Sequence, residues 1–552
     1  MELSSRQKII VVTVAVIWCI FAVFHVAWVT QDQSPPLWDM AGHSVRTAVL
    51  ADSLAHGHLL APLIEDSVYP PVAYIVAAPG LWLGWSDNIP QLSLLLWSLL
   101  LLAALILLGS KLFDSVWVGL GAFILMQGYP LWLHFSRIFD LDYPQAVIIT
   151  TVIAAAVASD KFTNRGWSLT TGILLAVALL TKFTAGLFLI GPLAWLAAQA
   201  LLDRDSQDRA LKYGSWATLL AGSLAAPWYI LHGDEVLLSS EAAGFNTWSI
   251  PTQDLLSIQN FTYYFNLIVA GLSWPLLAAA VVGAIILFWK RAHIKWRQTS
   301  LLMLLWLFIP YLLLTFLFSA KEARYILPLL PAIALITSGG IWQLSKLWRA
   351  VGGLVIGLIA LTWFVVTGFG WINLPSKTEK TLRLDHTYGL QTITPKQPGY
   401  GFTFPTKNHY NLTDVSNFIK DDLDHSEAGQ KISIAVIPNS IYLTSQQVQW
   451  YALLVGLGRS DDRTIDYSLS SQIRFENWQQ LLPKSDYIVA KSGDQGPAVW
   501  GQNLKEISDI ESAAADGQVG TMFDEYTLVY ETLVIGIEKE ARSVRIWRRR
   551  NK

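Results

Sequence analysis

The stretch Leu37-Trp38-Asp39-Met40-Ala41-Gly42-His43 follows an apolar run of about twenty residues (9–29), at the point where a membrane protein leaves the bilayer. In residues 42–57 the apolar side chains Val45, Val49, Leu50 and Leu54 recur at helical spacing. The segment is too short and too polar to span, so it predicts a helix lying in the membrane interface. Asp39 at its head has two readings. One is a helix cap; the other is a carboxylate within reach of both a lipid-borne molecule and a water-borne one.

The whole chain supports a membrane setting. Of its 552 residues 53% are hydrophobic and only 14% charged, and mean hydropathy is +0.40. A formal net charge of −2 gives no footprint for nucleic acid. Tryptophans such as Trp28, Trp82, Trp117 and Trp371 sit near the ends of apolar runs, as an aromatic belt requires. Cys19 is the single cysteine, so an internal disulfide cannot form. Arg6 and Lys8 precede the first run, which lacks a small-residue cleavage site and is expected to remain as the first span.

About eleven spans are expected, at 9–29, 90–109, 115–134, 144–159, 167–181, 184–202, 213–231, 261–289, 299–318, 325–344 and 351–373. The apolar piece 71–85 is interrupted by Pro70, Pro71 and Pro79 and reads as a broken or re-entrant helix. With the N-terminus cytoplasmic, the basic loops Lys161 to Arg165, Arg204 to Lys212, Lys290 to Arg297 and Lys346 to Arg349 all fall inside. The opposite face then receives residues 30–70, Phe135–Tyr143, the break Thr181–Thr184, the long loop 232–260, Ser319–Arg324 and everything after residue 373.

That face collects the unusual charges. Arg137, Asp140 and Asp142 stand in Ser136-Arg137-Ile138-Phe139-Asp140-Leu141-Asp142-Tyr143-Pro144. An Asp-x-Asp pair can hold a divalent cation or sugar hydroxyls, and it can equally form a solvated turn before a helix opened by Pro144. Lys182 lies between two apolar runs, where a cation needs a partner or a path to water. Lys321, Arg324 and Tyr325 open the segment Lys321-Glu322-Ala323-Arg324-Tyr325-Ile326-Leu327-Pro328, a donor set suited to phosphate. The plainer reading there is an ion pair of Glu322 with Lys321 or Arg324.

Taken in order, the first-loop Asp39, Tyr69-Pro70-Pro71, Arg137-x-x-x-x-Asp142-Tyr143-Pro144, Leu180-Thr181-Lys182-Phe183-Thr184-Ala185-Gly186 and Lys321-x-x-Arg324-Tyr325-Ile326-Leu327-Pro328 resemble a known family. It is the polyprenyl-phosphate-dependent C-type membrane glycosyltransferases, in the branch of protein O-mannosyltransferases and lipid A aminoarabinose transferases. The resemblance covers about the first 345 residues. It implies that Asp39 is the catalytic base activating the acceptor and that Asp142, with Asp140 beside it, is the second-loop carboxylate. It places Lys182, Lys321, Arg324 and Tyr325 around a donor phosphate. His43, Tyr69 and Arg137 complete the expected substrate-binding set, and Asp39, Asp140 and Asp142 are the candidate metal ligands. No cofactor is required, because the cations can carry the charge of the leaving group; a divalent metal stays open. The expected partners are a polyprenyl-phosphate-linked sugar, an acceptor that is a protein, lipid or glycan, and membrane lipid. Two departures stand out. Met40 follows Asp39 where many relatives have Asp-Glu, and Ser67-Val68-Tyr69-Pro70 replaces the Glu-Lys-Pro of the aminoarabinose branch.

The chain is therefore expected to be a polytopic α-helical membrane protein of the plasma membrane. Residues 1–373 would form the glycosyltransferase domain and residues 374–552 an extracytoplasmic α/β domain. Strands are expected at 431–437, 464–469, 486–490, 526–530 and 544–547, with helices near 413–424, 446–457 and 475–482, an alternation that suggests a small, doubly wound α/β layer. Two rival functions are a glycan ligase or polymerase with a diphosphate-linked donor, and a lipid or sugar transporter without chemistry. The second predicts internal repeats, and none is found in the sequence.

Overall fold

The computed structural model describes residues 4–64, 68–244, 256–289, 294–318, 321–371, 405, 407, 409–423, 431–438, 442–459, 465–468, 484–492, 526–534 and 543–550. The helix expected at 475–482, part of the loop 232–260 and Ser319-Ala320 fall outside them.

The helices follow the apolar runs. In chain order they are α1 (Ser5–Gln31), α2 (Trp38–Ala55), α3 (Ala61–Ile64), α4 (Val72–Leu81), α5 (Ile89–Phe113), α6 (Val116–Gln127), α7 (Pro130–Phe135), α8 (Asp142–Ala158), α9 (Arg165–Leu179) and α10 (Ala185–Leu202). Then come α11 (Gln207–Gly244), α12 (Ile258–Leu272), α13 (Trp274–Trp289), α14 (Ile294–Phe316), a 3-10 turn (Ala323–Leu329), α15 (Leu330–Trp342) and α16 (Lys346–Phe369). Among the described residues six helices are long and apolar enough to cross a membrane, or seven if the bent pair α12–α13 is one span. The expected eleven runs all become helix, but several are short. α8 has 17 residues and α9 has 15, or about 25 and 22 Å of rise against a hydrocarbon core of about 30 Å.

The breaks have local causes. The run 115–134 divides at Gly128-Tyr129, with Pro130 opening α7. The expected span 261–289 bends by 108° at Ser273, whose φ of 71° no helix can hold, and Pro275 two residues on cannot donate back. The loop expected from residue 232 instead begins as helix, because α11 continues to Gly244. α1 and α16 leave rows of apolar side chains exposed, among them Ile9, Val12, Val16 and Val23 on one and Leu354, Leu358 and Leu361 on the other. A water-soluble surface does not carry such rows, and lipid does. The protein is a multi-pass membrane protein.

The chain clusters into two compact units. The first is Met1–Trp28, Leu63–Ala73 and Leu92–Phe404; the second is Val29–Pro62, Tyr74–Gln91 and Pro405–Lys552. The second unit holds a five-stranded sheet in the order β2-β1-β3-β5-β4. Its strands are β1 (Ile432–Val436), β2 (Ile465–Ser468), β3 (Tyr487–Lys491), β4 (Tyr526–Leu533) and β5 (Ser543–Arg549). β1 pairs in parallel with β2 and β3, while β5 runs antiparallel between β3 and β4. A uniformly parallel, doubly wound sheet is thus replaced by a mixed one. The reason is visible in burial. β3 is buried at all five positions, as a strand covered on both faces must be, whereas β4 is half exposed and serves as an edge. Among the described residues of this sheet's part of the chain are two helices, α17 (Leu412–Leu423) and α18 (Ser445–Leu454). α18 starts with a capping box in which Thr444 and Gln447 satisfy each other's backbone ends.

Within the second unit α2 buries mainly small side chains. Ala41, Ala48 and Ala51 are fully buried while Val49 is exposed. Small side chains face inward because they allow close packing, and Gly42 lies against Gln446 of α18. Of the four large apolar residues that suggested a stripe, Val45 and Leu50 join this packed face, Leu54 is half-buried and Val49 is exposed.

Candidate active site

In the first unit the carboxylates and cations meet at helix ends. Asp142 is the first residue of α8, and Lys182 stands in the turn between α9 and α10. That turn exists because α9 ends at Leu179 and α10 restarts only at Ala185. The Lys182 ammonium donates to both Asp142 oxygens at 2.8 Å, and both side chains are buried. Lys182 therefore does not snorkel. It is fixed by a carboxylate forty residues earlier in the chain.

Arg324 enters from the 3-10 turn. Its guanidinium lies 3.3 Å from Asp140 Oδ2, 3.6 Å from Asp142 Oδ2 and 2.5 Å from Glu322 Oε2. Asp140 Oδ1 accepts from the Leu141 backbone N–H at 2.6 Å. The Tyr325 ring lies 5.8 Å from the Lys182 nitrogen and 6.0 Å from the Arg324 guanidinium carbon, within cation–π range. Tyr69 and Asp142 lie within electrostatic reach of the Tyr325 hydroxyl. Backbone pinning helps: Val72 N–H donates to Leu180 O at 3.0 Å, tying the start of α4 to the turn that carries Lys182. Gln145, one helical turn beyond Asp142, donates to Thr184 Oγ1 at 2.8 Å and ties α8 to the same turn. The structure thus brings Asp140, Asp142, Lys182, Arg324 and Tyr325 together.

Two expected members are engaged elsewhere. The Lys321 ammonium donates to the carbonyls of Leu314 and Thr315, at 2.7 and 2.9 Å, and so caps the C-terminal end of α14. Arg137 donates to Gly368 O at 2.7 Å, and its guanidinium lies 4.8–5.5 Å from the rings of Trp28, Phe364 and Phe369. A Cβ at residue 368 would come within 2.9 Å of that guanidinium, so glycine is what admits it. Asp39 and His43 belong to the second unit. Asp39 lies in the first turn of α2 behind Leu37, the residue at the N-cap position, so it does not itself stand at the cap. His43 Nδ1 is 2.9 Å from the Tyr74 hydroxyl, and both residues are buried.

The donor set does not suit a divalent cation. Both Asp142 oxygens are turned to Lys182 and Asp140 is shared between Arg324 and a backbone N–H. Among the described residues no group of three or more His, Cys, Asp or Glu side chains could hold a metal.

Sequence reasoning did not find Gln145, nor a half-buried carboxyl in the other unit, Asp87. That group accepts from Trp450 Nε1 at 2.5 Å and from the Tyr451 hydroxyl at 2.6 Å. Nearby Arg459 stacks on Trp85 at 3.6 Å. No spacing rule links residues more than 360 positions apart.

No protein-family model matches the sequence, and no curated protein matches it. Solved structures do. ArnT from Cupriavidus metallidurans in the apo state superposes with a TM-score of 0.57 at 13% identity, over 98% of each chain. The chain has the ArnT fold. The same ArnT bound to undecaprenyl phosphate superposes at 0.56 and 13% identity, over 96% of this chain and 97% of that one. The archaeal oligosaccharyltransferase AglB from Archaeoglobus fulgidus, in complex with an inhibitory peptide and a dolichol-phosphate, gives 0.51 and 10% identity over 96% and 74%. The ArnT likeness runs through the C-terminal sheet as well as the helices, whereas the sequence motifs covered only the helical part.

Proposed function

We propose that the chain is a membrane glycosyltransferase that moves a sugar from a polyprenyl-phosphate donor to an acceptor at the extracytoplasmic face. The observation that carries this reading is the buried cluster of Asp142, Lys182 and Arg324 at helix ends within an ArnT fold. Such a cluster is costly to bury without a purpose, and paired charges inside membrane proteins mark sites of function. The ArnT and AglB structures that hold undecaprenyl phosphate and dolichol-phosphate support a lipid-linked donor.

In this proposal the isoprenoid chain anchors the donor, at about 0.8 kcal/mol for each methylene buried. Lys182 and Arg324 stabilise the charge that develops on the departing phosphate, exchanging part of their contact with carboxylate oxygens for phosphate oxygens. Asp142 and Asp140 hold those two cations in place until then. Tyr325 and Tyr69 border the same group. Asp39 is the general base that takes the proton of the acceptor, and the displacement is single and inverting. This assignment rests on the family resemblance and on the place of Asp39 at the head of α2. The basic loops support an orientation with the N-terminus in the cytoplasm and the C-terminal sheet outside.

The test is purified full chain in nanodiscs with undecaprenyl-phosphate mannose or undecaprenyl-phosphate aminoarabinose and a cell-envelope extract that supplies protein, lipid and glycan acceptors, following release of undecaprenyl phosphate. Asp39→Asn is expected to lower release by about 10²- to 10⁴-fold while the protein stays folded. Undiminished release removes Asp39 from the chemistry. Turnover only with diphosphate-linked sugars establishes the ligase or polymerase reading instead, and lipid translocation without release establishes a transporter.

A further inference from the structure

We infer that Gln447, on α18 of the C-terminal part of the chain, is a positioning residue for the head of α2 and hence for Asp39. This rests on the proposal that Asp39 is the base. Gln447 is completely buried. Its Oε1 accepts from the Thr444 backbone N–H at 2.8 Å and from the Thr444 hydroxyl, closing the capping box of α18. Its amide nitrogen donates to the carbonyl of Pro36 at 2.8 Å.

Pro36 immediately precedes Leu37, whose carbonyl accepts the first helical hydrogen bond of α2, from Ala41 N–H at 2.9 Å. Asp39 is therefore three residues beyond an anchored carbonyl. On its other side Gly42 packs on Gln446, where a Cβ would stand 2.9 Å from Oε1, and His43 is joined to Tyr74. Two adjacent glutamines of one helix thus fix the backbone on both sides of Asp39.

The residue type carries the argument. A capping box accepts glutamate and glutamine alike, since only the oxygen is used. The second contact needs an N–H donor, which only the amide supplies. Glutamine is over-specified for starting a helix and suited to joining two helices.

Gln447→Glu separates the roles: it keeps the cap and sets an acceptor against the Pro36 carbonyl. The experiment uses the full chain in nanodiscs. Hydrogen exchange at the amides of 38–43 is expected to rise roughly ten-fold, while exchange along α18 stays unchanged. With undecaprenyl-phosphate mannose or undecaprenyl-phosphate aminoarabinose, kcat is expected to fall roughly 10- to 100-fold while KM for the donor stays within about two-fold. Unchanged exchange at 38–43 overturns the inference, and so does a loss of protection that spreads along α18. Equal falls in kcat and in donor binding overturn it too. If wild-type protein releases no undecaprenyl phosphate from either donor, the glycosyltransferase reading falls. The exchange measurement still decides whether Gln447 holds the head of α2.

Discussion

Asp142 is a buried carboxylate and Asp87 a half-buried one, each held at two oxygens, yet their partners differ in kind. Asp142 faces Lys182 and Arg324, two full cations. Asp87 faces Trp450 and Tyr451, two neutral donors. The first arrangement pairs opposite charges, and its cations can exchange one anionic partner for another. The second fixes geometry but leaves its charge uncompensated, so burial pushes the Asp87 carboxyl above the usual carboxylate range despite the hydrogen bonds of Tyr451 and Trp450. A cluster built to bind a passing phosphate has to be of the first kind. A clamp between a loop and a helix can be of the second.

Three substitutions separate the two. Lys182→Ala should have the largest effect, because it strands a buried carboxylate with only the longer contact to Arg324. A loss of about 3–5 kcal/mol is expected in detergent melting, together with loss of sugar transfer. Melting unchanged from wild type would show that Asp142 is indifferent to its partner.

Asp87→Asn should cost about 1–3 kcal/mol, since an amide can accept from only one of the two donors. Its pH dependence has a defined sign. A carboxyl whose folded value is raised binds its proton more tightly in the folded state, so its contribution is full below about pH 3.8 and is lost as pH rises through the raised value. The penalty of Asp87→Asn should therefore grow as pH is lowered from 7 toward 4, and a flat difference would remove Asp87 from that role.

The smallest effect is expected at Glu531 of β4, which accepts from Ser543 at 2.5 Å and from Arg545 at 2.9 Å on a partly exposed edge. Those two bonds hold its carboxyl below the usual range, so its contribution is present above about pH 4.5 and is lost as pH falls. Glu531→Gln should cost under about 0.5 kcal/mol at pH 7, and the difference should shrink on acidification, opposite to Asp87.

What the chain disclosed in advance follows the range of each interaction. The apolar runs became helices because lipid permits no other way to satisfy a backbone within one segment. The break at Lys182 was visible because a cation interrupts apolar residues, and the pairing of Glu322 with Arg324 was one of two readings of adjacent charges. The aromatic cage of Arg137 was not visible, because Gly368 is 231 positions away and phenylalanines of a span look alike in sequence. The packed face of α2 was also hidden, because alanine and glycine give no hydrophobic signal although they set the distance of approach. Gln447 gave no sign at all: a neutral amide acquires meaning only when the carbonyl it meets is known.

The bond between Gln447 and Pro36 spans 411 positions, and that between Trp450 and Asp87 spans 363. During synthesis most of the helices can be inserted before residue 447 has been made. The segment around Asp39 must then wait, since its last anchors arrive near the end of translation. If the proposed function holds, an unfinished or C-terminally shortened chain would keep Lys182 and Arg324 in place and lack a settled Asp39, which would make a half-made copy of this protein inert in the membrane.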